Sequence, residues 1–169
     1  MPETKQVDLD RTGFYLEMIA HLTTSLENVI GLEDAEGYYG IVGTAIGERL
    51  SDAYAQAFGR RDMSADEIGE ILVDLKRRID GGFRVASVED GVITLTNDRC
   101  PFGEKALGRK SLCMMTSNVF GTIASEASGQ ANVELQETIA AGDGRCCVKV
   151  YLNRPEAPGL QYFGAHEDR

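Results

Sequence analysis

At Gly81-Gly82 the hydrophobic period of the chain changes, and that change limits what the chain can fold into. Before the two glycines, apolar residues recur three and four apart, the spacing of helices that bury one stripe. After them come β-rich segments, interrupted by one more helical stretch. Helices first and strands later predict an α+β fold: N-terminal helices packed on a small antiparallel sheet with a C-terminal hairpin.

The elements follow from the spacing. Phe14, Met18, Leu22, Leu26 and Ile30 mark a first helix over residues 12–30, its apolar stripe facing a partner and Gly31 as its stop. A second helix is expected over residues 38–58, with Ile41, Val42, Ile46, Leu50, Ala53, Tyr54 and Phe58 as its apolar set. Gly40, Gly43 and Gly47 share one face of it, which suits close helix packing or the wall of a ligand site. Ser64-Ala65-Asp66-Glu67 is a capping box that opens a third helix, with Ile68, Ile71, Leu72, Leu75 and Ile79 on its apolar face. Lys76, Arg77 and Arg78 form a short basic run, read as a solvated face, with an anionic ligand or partner as the alternative.

Asp90-Gly91 is a hairpin signal between strands over residues 83–88 and 92–96. Residues 111–128 read as the last helix, with Leu112, Met115, Val119 and Ile123 toward the core and Cys113 on the adjoining face. Two strands, over residues 131–140 and 145–152, complete the pattern. The chain thus divides into a loose start at 1–11, one domain at 12–152, and a surface tail at 153–169 that contains Pro155 and Pro158.

Seventeen basic against 27 acidic residues give a net charge of -10, which opposes direct binding to nucleic acid or to an anionic membrane. No apolar run approaches the roughly 20 residues of a membrane span, and the first residues lack the basic and apolar regions of a secretory signal. A cytoplasmic protein is expected, and there clustered cysteines are more often ligands or redox groups than structural disulfides.

All four cysteines lie between residues 97 and 152. Cys100 opens a Cys-Pro-Phe-Gly loop, Cys113 stands early in a helix, and Cys146-Cys147 open a strand. Strict alternation along residues 131–140 puts Glu137 on the same face as Val133, Leu135 and Ile139, where an unpaired charge is costly to bury. Alternation in the next strand turns Cys146 to the apolar side and Cys147 away, so Glu137 and Cys146 become neighbours across the hairpin. Cys100, Cys113, Glu137 and Cys146 are therefore the candidate ligands of a zinc ion or an iron–sulfur cluster, set against free cysteines that merely fill a core. His21, beside the first apolar stripe, is a candidate axial ligand for non-covalent haem or a hydrogen-bonded histidine at a core edge.

Cys100-Pro101-Phe102-Gly103, the Leu112-Cys113 helix start, and Glu137 followed by Gly142-Asp143 and Cys146 resemble the methanogen output domain and its relatives, the 4-vinyl-reductase-type small-molecule-binding domains. The cysteine region is also similar to that of iron–sulfur-sensing repressors. The resemblance implies a sensory domain in which a metal held by cysteines and a glutamate lies near a ligand pocket, with Cys113, Glu137 and Cys146 at the matching positions. The chain departs from the pattern at Thr138, where a cysteine is expected, and adds Cys100; the repressors' further cysteine between the second and last is also missing.

The resulting expectation is a small-molecule or redox-sensing regulatory domain that signals through a homodimer or a partner protein. A haem-binding sensor is one alternative. An enzyme using a reactive thiol or metal-bound water is another, but no nucleophile–base pair is evident, and of the two histidines His166 falls in the tail.

Overall fold

Asp10 starts the first helix in the computed structural model, which describes residues 7–165: its carboxylate accepts the Gly13 backbone N–H at 2.8 Å, and α1 runs Arg11–Ile30. His166 and the outermost parts of the expected loose start and tail lie outside the described residues. Gly31, with φ of 86°, turns the chain, and α2 (Leu32–Phe58) begins at once. That is earlier than the apolar spacing indicated, because Glu33 and Asp34 favour a helix N-terminus without contributing to an apolar stripe.

The buried faces of these helices are their small ones. On α1 only Ala20 and Thr23 are buried, while Phe14, Met18 and Leu22 are exposed, Leu22 by 60%. Of the stripe expected to face a partner, only Leu26 and Ile30 are half-buried. On α2 the buried residues are Ala35, Gly43, Gly47, Ser51 and Ala55, and Ile41 is 70% exposed. A Cβ at Gly43 would stand 2.8 Å from the Cβ of Asn118, and one at Gly47 the same distance from that of Thr122. The glycine row is therefore a packing surface against α4 (Cys113–Ser128).

Helix α3 (Ala65–Arg77) carries the expected capping box in full: Ser64 Oγ accepts from the Glu67 N–H at 3.3 Å, and Glu67 Oε2 from the Ser64 N–H at 2.9 Å. Replacing Ser64 by alanine should cost about 1 kcal/mol, read as a lower urea midpoint with an unchanged slope. Arg77 and Arg78 are exposed and pair with Asp74. Lys76 corrects the reading of this run as a solvated face, because it is only 4% exposed. It stands four residues after Leu72 and eight after Ile68, on the apolar face of the helix.

Five strands follow: β1 (Arg84–Glu89), β2 (Val92–Asn97), β3 (Gln130–Glu137), β4 (Cys146–Leu152) and β5 (Leu160–Phe163). They form one sheet in the order β1-β2-β4-β3-β5, antiparallel throughout. Asp90 and Gly91 turn the first hairpin with φ of 49° and 74°, the conformation that favours Asp-Gly there. Helix α4 lies between α2 and the sheet and is buried on most sides. Ile68 and Leu72 of α3, Phe120 of α4, and Ile93, Leu95, Val148 and Val150 of the sheet make the core.

The expected surface tail contributes to the sheet. β5 pairs with β3, the Tyr162 hydroxyl meets Ser117 Oγ at 2.8 Å, and its ring packs over Gly121. A four-residue strand beyond two prolines is too short to show a period, and its place is set by the bare helix surface at Gly121.

Candidate functional site

The last residue of β2, the first of β4 and the first of α4 meet at one end of the sheet. Antiparallel register places Asn97 opposite Cys146, and Cys113 opens α4. Between β2 and α4 the chain passes through Cys100-Pro101-Phe102 and two short 3-10 turns, Gly103–Ala106 and Lys110–Leu112. Pro101 lacks a backbone donor and the Gly103 N–H closes back on the Cys100 carbonyl at 2.9 Å, so the loop folds Phe102 inward. Together these segments enclose a partly open cavity of about 30 Å³. Phe83, Phe102, Leu112, Leu135 and Val148 give its wall an apolar character, and Cys100, Cys113 and Cys146 all line it.

Burial raises all three thiols above the ordinary 9.0, Cys113 to about 11. They are neutral at physiological pH. Cys146 has the most help as an anion: its Sγ accepts the Ile139 N–H at 3.5 Å, and both the Asn97 side chain and Lys76 favour its thiolate. Behind the wall Lys76 donates from Nζ to Thr116 Oγ1 at 2.7 Å, with the ring centroids of Phe83 and Phe120 at 5.7 and 5.3 Å. Loss of solvent lowers its pKa to about 8, against the pull of the three thiols, which favour its charge.

Of the residues expected at the site, Cys100, Cys113 and Cys146 converge. Cys147 faces the other side of the sheet, where its thiol contacts Gln136 Oε1 at 3.5 Å, as strand alternation implied. Glu137 does not join them. A β-bulge between Leu135 and Glu137 shifts the register, so Glu137 pairs with Cys147 and binds Arg145 at 2.7 and 3.3 Å on the outer face. One extra residue in a strand reverses the facing of everything after it, which strict alternation overlooks.

Of the four candidate ligands, Cys100, Cys113 and Cys146 thus stand together and Glu137 stands apart from them. Among the described residues no group of three or more histidine, cysteine, aspartate and glutamate side chains is placed to hold a metal ion. His21 is exposed on α1 and is not part of the wall of the cysteine-lined cavity.

Lys76, Asn97 and Thr116 are site residues that the sequence reading missed. For Lys76 a signal existed in its four-residue step from Leu72; for the other two none did.

The segment that closes the cavity also holds α1. Arg109 Nε donates to the Ala20 carbonyl at 3.0 Å and to Thr24 Oγ1 at 2.9 Å. Glu27 Oε1 accepts from the Ser111 N–H at 3.1 Å and from its hydroxyl at 2.5 Å. Lys105 pairs with Glu17 at 3.3 Å.

The fold is similar to that of a trafficking protein particle complex subunit 3 from Naegleria fowleri, solved covalently bound to palmitic acid. The TM-score is 0.56 and the identity 15%, with 84% of this chain and 97% of that one covered. None of the curated proteins matches the chain. A family model does: methanogen output domain 1 matches residues 18–151, from within α1 to the end of the sheet's central strand, and so takes in Lys76 and every cysteine of the cavity. On that match the chain belongs to the methanogen output domain 1 family.

Proposed function

We propose that this small regulatory domain reads a small apolar molecule, or the redox state of its thiols, at the cysteine-lined cavity and passes the result to a partner protein or a second copy through α1. The observation that carries the reading is mechanical. Residues 103–112 contribute Ala106 and Leu112 to the cavity wall and, through Lys105, Arg109 and Ser111, hold Glu17, Ala20, Thr24 and Glu27 of α1. A change in what fills the cavity therefore shifts the support of α1. That helix presents Phe14, Met18 and Leu22 to solvent, and α2 adds Ile41 and Val42, an apolar surface suited to a protein partner. An apolar guest, such as the chain held by the trafficking subunit, matches the character of the cavity wall.

A small uncharged thiosulfonate tests this. Methyl methanethiosulfonate forms an S–S bond with a cysteine sulfur, transfers a methylthio group and releases methanesulfinate, adding bulk inside the cavity. Amide hydrogen exchange is then expected to quicken in residues 103–112 and in α1, while a Cys113→Ala/Cys146→Ala variant responds much less. Modification of Cys113 or Cys146 that leaves α1 exchange unchanged would sink the coupling.

A further inference from the structure

We infer that the cavity recognises a ligand with a compact apolar body and a single oxyanionic head, a short carboxylate, with Asn97 Nδ2 as the donor in the wall that reads the head and the Lys76 ammonium, behind Thr116 and Phe83, as the charge that favours it. This deepens the reading of the cavity as an input site and rests on it.

Asn97 is 1% exposed, and its orientation is forced. Its Oδ1 accepts the backbone N–H groups of Gly82 at 3.1 Å and of Arg99 at 3.0 Å. Two N–H donors require an oxygen at that end, so the amide cannot be flipped, and the Nδ2 end is the one beside Cys146, a residue that lines the cavity as Asn97 does. That nitrogen is buried and meets no oxygen or nitrogen acceptor among the described residues; its polar neighbour is the Cys146 sulfur, a weak acceptor while it is protonated. A buried donor left unsatisfied costs about 1–3 kcal/mol, so an acceptor that reaches it is favoured.

Lys76 supplies the charge. Among the described residues it makes no ion pair; its head group meets only Thr116 Oγ1 and the faces of two phenylalanine rings. The ionisable groups facing it from the neighbouring elements are Cys100 from the loop, Cys113 from α4 and Cys146 from β4, all thiols that burial keeps protonated. Thr116 and Phe83, its contacts, are themselves part of the cavity wall. An uncompensated ammonium behind the wall and an amide N–H in it with only a thiol sulfur beside it favour one oxyanion, whereas a neutral ligand would use only the amide and a cation would be repelled. The cavity is small, so the part of the ligand that enters is a few heavy atoms, with the remainder toward the open side.

The test compares butyrate, 1-butanol and butylammonium on the full chain by nitrogen–proton NMR titration, with the Asn97 side-chain amide as the reporter. Butyrate is expected to bind saturably, about tenfold more tightly than butanol, and to move the Asn97 amide signals. In Lys76→Met that preference should vanish while butanol binding remains. Raising the pH from about 7 to about 9 should weaken butyrate and leave butanol unchanged, since Lys76 loses its proton across that interval. Equal binding of butyrate and butanol, or a preference that survives Lys76→Met, overturns the inference and leaves the input-site reading standing. Failure of all three probes also overturns it, and the thiosulfonate experiment then decides separately whether the cavity communicates with α1.

Discussion

Lys76→Met is expected to stabilise the domain by about 1–3 kcal/mol at neutral pH, a large gain for a single substitution. Burial lowers the lysine from 10.5 to about 8, and the corresponding cost of holding its charge is about 3 kcal/mol at roughly 1.4 kcal/mol per pKa unit. The Thr116 hydroxyl and the two ring faces return part of that cost, which sets the lower end of the range. Methionine keeps the length and the apolar stem and removes the charge.

The sign of the pH dependence follows from which state holds more protons. Between about pH 8 and 10.5 the unfolded chain keeps a proton on Lys76 that the folded chain has released, so stability rises with pH in that window. The thiols act in the opposite direction. Cys113, at about 11 against the ordinary 9.0, keeps its proton longer when folded, so stability falls as pH passes 9, and Cys100 and Cys146 add to the fall. The wild-type chain should therefore gain stability from about pH 8 to 9 and then lose it, whereas Lys76→Met should show only the loss. Urea unfolding at a series of pH values reads both; a variant no more stable at neutral pH would mean that Lys76 is not held charged in the folded chain.

Gly121→Ala should cost about 3 kcal/mol, because the new Cβ would stand 2.1 Å from a carbon of the Tyr162 ring, well inside van der Waals contact. The clash can be relieved only if the ring leaves its seat, and with it β5. Tyr162→Ala should itself destabilise the domain by a similar amount, since it removes a largely buried ring and the Ser117 hydrogen bond. Once that ring is absent, Gly121→Ala should add almost nothing. The double-mutant cycle in urea thus gives a coupling of about the whole single-mutant effect, and simple additivity would show that the ring is not what glycine accommodates.

Much of the architecture could be read from local signals. Ser64 and Glu67 mark a helix start whose two reciprocal bonds form as expected, Asp90-Gly91 turns the first hairpin, and alternation along β4 separates Cys146 from Cys147. Each of these depends on residues adjacent in sequence or one turn apart. The misreadings share a different origin. Ile41 and Val42 of α2 stay exposed, while Ile46, Leu50 and Tyr54 reach the core edge, because the glycine face of that helix gives closer backbone approach to α4, far along the chain. Glu137 left the expected ligand set through a bulge, a single unpaired residue that no alternation pattern announces.

Local spacing and turn chemistry in the sequence determined the helices, the hairpins and the facing of Cys146 rather than Cys147, since each expresses a period or a cap written within a few residues. Tertiary structure alone decided the character of the site. Whether a charge such as Lys76 or Glu137 is buried or solvated depends on which elements pack over it, and desolvation by distant neighbours is a property no local pattern contains.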